Sequence, residues 1–380
     1  MKAFMHALGL LVLRVGSPPI VHPSIPATDR CVAYSPYNWY RSGSAYMQTQ
    51  NPGAYLKLGF TGTRVAVNLD MSALTLAGTP DSQYPVVRFS VDAGRPQTIQ
   101  LTSKTDSIMC AKGLPPGSHT LLLEYVAGYV FLDFWTPINV LRVTGFTLDD
   151  GSSLVKPTGF VAQRHLNALF LGDSITNGDD DVATFSGGIT NTVDTQDATI
   201  AYPSVVAAGI DAEFGVVAYG GASWDHTAAD GHTPGLMTSY SMLDSLHSRL
   251  VAGKLAPRPD DIFVNMGENS GPTGDDVPKL LASLRVAGNA KTNIFIIVPF
   301  SGRARAALKS GYERYRKTHP SDSHAFFIDL GDSPLLSAAG PTTLSVDGQH
   351  PLAYLHAMLG ARLVQARSEA LQGLSKHHRP

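Results

Sequence analysis

Apolar and polar positions follow two different periods along this chain. From about residue 31 to 150 the period is two: residues 54–60 (AYLKLGF) alternate, and so do residues 63–69 (TRVAVNL). Further extended runs cover residues 86–92, 98–101, 119–126 and 141–148. Ala93-Gly94 closes the run at 86–92, and the turn Gly113-Leu114-Pro115-Pro116-Gly117 precedes the one at 119–126. Strands at this spacing, punctuated by turn residues, predict an antiparallel β-sandwich of jelly-roll type without a convincing helix. After about Lys156 strands alternate with helices. Strands are expected at 168–171, 216–219, 261–266, 294–298 and 325–330, and helices at 202–212, 237–250, 276–286, 304–317 and 352–371. In the helix at 276–286, Val277, Leu280, Leu281 and Leu284 fall on one stripe. This alternation predicts a three-layer α/β/α domain around a parallel sheet. The chain therefore divides into an N-terminal tail (1–30), a β-sandwich (31–152) and an α/β domain (160–375).

In such a sheet, ligands bind beyond the carboxyl ends of the strands. Gly172-Asp173-Ser174, Gly220-Gly221 and Gly267-Glu268-Asn269 each follow a strand, so the fold sends all three to one edge. A serine hydroxyl is a poor nucleophile at neutral pH and needs a base within hydrogen-bond reach. Asp347-Gly348-Gln349-His350-Pro351 supplies one in His350. Asp347, three residues earlier, is placed to accept from the imidazole Nδ1–H. That contact leaves Nε2 facing Ser174 and stabilises the imidazolium that forms. Pro351 suits the first position of the last helix. Acyl transfer also needs donors for a developing oxyanion. The candidates are the backbone N–H of Ser174, an N–H in Gly220-Gly221 with Gly221 preferred, and the Asn269 side-chain amide. Trp224 follows the glycine pair and is read as a substrate-binding wall, with half-buried packing as the alternative.

Composition narrows the field. With 380 residues, 43% hydrophobic and 16% charged, the chain can build two cores. A net charge of −2 gives no reason to expect nucleic acid or an anionic membrane as partner. Two cysteines, Cys31 and Cys110, exclude a disulfide framework and a cysteine-ligated zinc site, and whether they pair stays open. Asp179-Asp180-Asp181 is read as a solvated charge run in a long loop, 177–199, that walls the cleft beside Ser174. His165, His226 and His232 lack metal-ligand spacing, and neither metal nor cofactor is expected. Trp39, Tyr40 and Trp135 are read as core aromatics rather than a sugar platform. The apolar stretch 3–13 after Lys2 is long enough for a signal-peptide core and too short to span a membrane, which favours a secreted or periplasmic location. Residues 376–380 read as a frayed terminus.

The four blocks Gly172-Asp173-Ser174, Gly220-Gly221, Gly267-Glu268-Asn269 and Asp347-x-x-His350 resemble those of the SGNH (GDSL-type) serine hydrolases, over residues 166–371. The resemblance implies Ser174 as nucleophile and first oxyanion donor, His350 as base, Asp347 as orienting acid and Asn269 as oxyanion donor. Ser270 stands where the third block usually carries an aspartate. The preceding sandwich, with Gly53-Ala54-Tyr55-Leu56 and Arg142-Val143-Thr144-Gly145-Phe146, is similar to the accessory domain of family two carbohydrate esterases. This implies removal of short acyl groups, acetyl foremost, from an acylated carbohydrate. Some members of that group work with a Ser-His pair alone. An acyltransferase to sugar hydroxyls and a non-catalytic carbohydrate-binding protein are the alternatives.

Overall fold

The computed structural model describes residues 24–184, 192–331 and 344–377. The apolar stretch 3–13 and the last residues of the tail, 378–380, lie outside them.

Strands from Ser24–Pro26 to Leu154–Val155 form one ten-stranded antiparallel sheet. Two long strands dominate it, Tyr55–Leu69 and Ser107–Ala127. The alternating runs at 54–60 and 63–69, expected as separate strands, are thus continuous. Their pairing slips at Gly62: Gly62 faces Gly117, but Arg64 faces Lys112. Residues 113–116 therefore bulge opposite Thr63, and the turn predicted there is a bulge inside a strand. Before the bulge, strand Tyr55–Leu69 pairs with Ala33–Tyr34 and Leu154–Val155; after it, with Leu141–Leu148. Leu56, Leu58 and Phe60 from one half join Val65, Val67 and Leu69 from the other in a single buried cluster with Phe89, Leu123 and Phe146. The sheet is thus folded over its own core, as a sandwich requires. A short helix, Ser72–Leu76, is the element a period-two reading does not reveal. Both cysteines are free thiols.

The second sheet is parallel, with strand order Ala212–Ala218, Leu166–Gly172, Asp261–Asn265, Asn293–Ile297, Ala325–Ile328. Its central strands are buried on both faces, which explains their near-continuous apolar runs. One face packs Leu169, Leu171, Ile262 and Ile294 under helices Asp276–Ala287 and Arg305–Thr318. The other stacks Phe170 on Phe263 (4.8 Å between centroids) and Phe263 on Phe295 (4.9 Å). Helices Tyr202–Gly209 and Ala353–His377 cover that face through Tyr202, Val206, Leu355 and Leu359.

The helix expected at 237–250 is a single turn, Leu236–Ser239. Side chains beyond it satisfy backbone groups that a helix would have paired. The buried Asp244 carboxylate accepts from the N–H of Leu246 (2.8 Å) and His247 (2.9 Å). The Arg249 guanidinium donates to the carbonyls of Tyr240 (3.1 Å) and Met242 (2.6 Å), and to that of Tyr37 in the other domain. Polar side chains competing for the backbone are a general cause of such breaks.

Buried polar contacts lock the two sheets together. Asn38 bonds both backbone groups of Val216, donating at 2.7 Å and accepting at 3.1 Å. Glu213 accepts from Lys57 (2.7 Å), from the Tyr55 hydroxyl and from the Arg164 N–H (2.9 Å). Burial pushes the Glu213 carboxyl up, but Lys57 and Tyr55 outweigh it and hold it below the usual glutamate range. Replacing Glu213 with alanine strands the Lys57 ammonium and is expected to cost about 3–5 kcal/mol in urea unfolding at neutral pH. A carboxylate with a depressed pKa stabilises the fold above its ordinary pKa and loses that contribution as pH falls through the depressed value. The gap between wild type and variant should therefore close in acid. An unchanged unfolding midpoint at neutral pH would show that the pair does not join the domains energetically.

Candidate active site

The strand Leu166–Gly172 lies between Ala212–Ala218 on one side and Asp261–Asn265 on the other. The chain passes from it to Ala212–Ala218 on one side and then crosses to Asp261–Asn265 on the other, so a crevice opens at the carboxyl ends of these three strands. The serine, glycine and asparagine blocks are the segments that follow them.

Asp173 caps the short helix Ser174–Asn177, its Oδ1 accepting from the Ile175 N–H at 3.2 Å. This holds Ser174 at the first position of that helix. The Ser174 Oγ lies 2.9 Å from His350 Nε2, and His350 Nδ1 lies 2.6 Å from Asp347 Oδ2. Asp347 Oδ1 accepts from the N–H groups of Gln349 (2.8 Å) and His350 (2.7 Å) and from the Ser345 hydroxyl (2.9 Å). Gly348 supplies the left-handed residue of this turn, with φ of 78°. One carboxylate oxygen builds the turn and the other orients the imidazole. The final helix begins at Ala353, so Pro351 precedes it by two residues rather than opening it.

The electrostatics fit a serine-histidine relay. Burial pushes the Asp347 carboxyl up, but the hydrogen bond and charge of His350, with the two backbone donors, outweigh it and hold it well below the usual range. Burial opposes a charge on His350, yet Asp347, and more weakly Asp179 and Asp180, raise its pKa above that of free histidine. Asp347 thus favours a proton on His350, the property a base paired with a serine hydroxyl would need.

A cavity of about 180 Å³ opens at the relay. Ser174, His350, Gly220, Gly221 and Asn269 all line it, which brings five of the seven predicted site residues to one space. The Asn269 Nδ2 donates to the Ala222 carbonyl at 2.9 Å, tying the asparagine block to the glycine block. Beside Ser270, buried Glu268 holds this loop: it accepts from Ser301, and Arg303 Nη1 lies 3.3 Å from its Oε1 and donates to its carbonyl at 3.0 Å. Gly220 admits no side chain, because a Cβ there would lie 2.1 Å from Val130 Cγ2 and 2.7 Å from Asp179 Oδ2.

Two expectations need correction. Trp224 forms no wall of the cavity; it is completely buried, and its indole N–H donates to the Met266 carbonyl at 3.2 Å. Asp179, Asp180 and Asp181 are not a solvated run, since all three are buried. They form an ordered turn in which Thr195 donates to Asp180 (2.7 Å), the Asp197 N–H to Asp181 (2.8 Å), and the Asp181 carbonyl accepts the Ala353 N–H (2.8 Å). Among the described residues no group of three or more His, Cys, Asp or Glu is placed to hold a metal ion.

The remaining wall comes from the other domain. Val130 and Phe131 line the cavity from the loop after strand Ser107–Ala127. Asn139 Nδ2 donates to the Tyr129 carbonyl at 2.9 Å, and the Phe134 N–H donates to Asp230 Oδ2 at 3.1 Å, which fixes this loop against the α/β domain. Phe131 is half exposed at the mouth, edge-on to Tyr129 (5.7 Å). The only trace in the sequence is the apolar run Tyr129-Val130-Phe131 outside any strand.

Residues 41–157 match the family model described as carbohydrate esterase 2 N-terminal. No curated protein sequence matches the chain. Among solved structures, a family two carbohydrate esterase from Cellvibrio japonicus is similar, with a TM-score of 0.73 at 16% identity, covering 93% of this chain and 99% of that one. An acetyl xylan esterase from the rumen bacterium Butyrivibrio proteoclasticus aligns with a TM-score of 0.68 at 15% identity, over 93% and 100% of the two chains. A salicylyl-acyltransferase from a tetracycline biosynthetic pathway aligns with a TM-score of 0.58 at 17% identity, over 92% and 99%. Residues 41–157 of this chain thus resemble the N-terminal domain of carbohydrate esterase family two, and the chain as a whole shares the fold of these solved structures, a sandwich followed by an α/β domain with a parallel sheet.

Proposed function

We propose that this protein is a serine esterase that removes short acyl groups, acetyl foremost, from carbohydrate hydroxyls. The observation that carries this reading is the unbroken relay from Ser174 through His350 to Asp347, facing a cavity of about 180 Å³. That space suits an acetyl group and is small beside the roughly 300–1,000 Å³ of drug-sized pockets. The sugar would then lie at the mouth.

Ser174 Oγ attacks the ester carbonyl while His350 Nε2 takes its proton. The oxyanion forms toward the Ser174 N–H, the Gly220-Gly221 backbone and the Asn269 amide. Collapse expels the sugar alkoxide, which takes the proton from His350, and leaves an acyl group on Ser174. Water, activated by the same imidazole, then releases the acid. The family two carbohydrate esterase and the acetyl xylan esterase of similar fold support a carbohydrate ester as the substrate class.

Phe131 offers a face for a sugar ring. Replacing it with alanine is expected to raise KM for an acetylated xylo-oligosaccharide about five- to tenfold, the effect of losing about 1 kcal/mol of apolar contact. The kcat on p-nitrophenyl acetate should stay close to wild type. Equal losses on both substrates would place Phe131 in the chemistry instead.

An acyltransferase is the second reading, favoured by the likeness to the salicylyl-acyltransferase. There a hydroxyl acceptor replaces water at the acyl-enzyme. Product partition with and without an added acceptor sugar separates the two: release of free acid undiminished by the acceptor supports hydrolysis. A binding-only role gives no reason for an assembled relay.

A further inference from the structure

One polar group in the cavity has no part in the relay. Asp179 lines it, yet only 1% of its surface is exposed. It follows the short nucleophile helix, and its N–H donates to the Ser174 carbonyl at 3.0 Å, so its position is tied to that of the nucleophile. Its Oδ1 accepts from Asn177 Nδ2 at 2.7 Å. Its Oδ2 lies against Gly220, close enough that a Cβ there would approach to 2.7 Å. A carboxyl oxygen thus sits beside a candidate oxyanion donor. An ionised carboxylate in that place would repel the developing oxyanion, whereas a neutral acid would donate to it. Ketosteroid isomerase uses a protonated aspartic acid in this way.

We propose that Asp179 is a further catalytic residue, acting as a neutral carboxylic acid whose Oδ2–H donates a hydrogen bond to the substrate oxyanion beside Gly220. The proposal rests on the esterase reading. The proton stays on Asp179 throughout, and no bond to it is made or broken. Burial pushes the Asp179 carboxyl up to about 7, against the pull of His350 and Asn177 and with a further push from Asp180. The titratable groups that act on it are His350, from the segment before the final helix, and Asp180 and Asp181 on its own turn. His350 must be neutral to act as base and Asp179 protonated to donate. Activity therefore rises with pH on the acid side through His350 and falls on the alkaline side through Asp179, the two apparent values belonging to the pair.

The test is the pH profile of kcat on p-nitrophenyl acetate for wild type, Asp179→Asn and Asp179→Ala. Asparagine keeps an acceptor for Asn177 and presents an N–H donor at every pH. It is expected to retain kcat within about tenfold at neutral pH and lose the alkaline decline while keeping an acid limb set by His350, whereas alanine loses about 10²–10³-fold, the usual effect of removing one oxyanion donor. Wild-type kcat in the alanine variant, the wild-type alkaline decline in the asparagine variant, or an asparagine variant as impaired as alanine would each overturn the proposal alone. Should the alanine variant not fold, the asparagine profile decides. Absence of Ser174-dependent hydrolysis in wild type would overturn the esterase reading itself, and this role with it.

Discussion

Replacing Ser174 with alanine lowers kcat on p-nitrophenyl acetate by about 10⁶-fold, as expected when a nucleophile that works as one unit with its base is removed. Nothing else in the cavity substitutes for it, because His350 Nε2 points at Ser174 Oγ and Asp347 is spent on His350 and its turn. The fold survives. The hydroxyl's hydrogen bond is to His350, whose orientation is set by Asp347, and the helix that begins at Ser174 is held by the Asp173 side chain. Circular dichroism and the thermal midpoint of the variant should match wild type. Turnover within about tenfold of wild type would remove Ser174 from the chemistry, since removing a nucleophile or its base costs far more than that.

Replacing Asp347 with asparagine is the second large effect. Asparagine keeps an oxygen for the N–H groups of Gln349 and His350, so the turn can form. It presents an NH₂ to His350 Nδ1, however, and Nδ1 must then become the acceptor. The ring proton moves to Nε2, which can no longer accept from Ser174. The corresponding change in serine proteases costs about 10⁴ in kcat, and a loss of that order is expected here. The pH profile provides a second readout. Burial alone would hold His350 below its ordinary pKa, and Asp347 is the main group that raises it. Without that anion the acid limb of the residual activity moves to lower pH. A loss below about tenfold, far short of the usual cost of a misoriented base, would mean that Ser174 and His350 suffice as a pair.

Much of this site is legible in the sequence because each strand announces its own end. The apolar run 168–171 stops at glycine, and so does the run 261–266, so serine and asparagine can be assigned to strand ends before the sheet order is known. Asp347 and His350 are readable because their contact is local, made within one turn. What the sequence hides is non-local. Leu243, Leu246 and Leu250 offer helical spacing, yet Leu246 is 73% exposed, because Asp244 and Arg249 find tertiary and turn partners instead. Three adjacent aspartates read as solvated because charge normally is. Here their carboxyls and carbonyls are taken by Asn177, Thr195 and the first turn of the final helix. Trp224 reads as a cleft residue from its place beside the glycine block, but its ring turns inward to Met266. Val130 and Phe131 belong to a loop whose role depends on where the other domain docks, which no local period encodes.

The most direct test of the account is intact-protein mass spectrometry of wild-type enzyme quenched during turnover of an acetylated xylo-oligosaccharide. The account predicts a transient adduct of one acetyl group, mapped to the peptide carrying Ser174, together with release of free acetate. Steady acetate release without an acyl adduct at any quench time, or an adduct on a different residue, would contradict it.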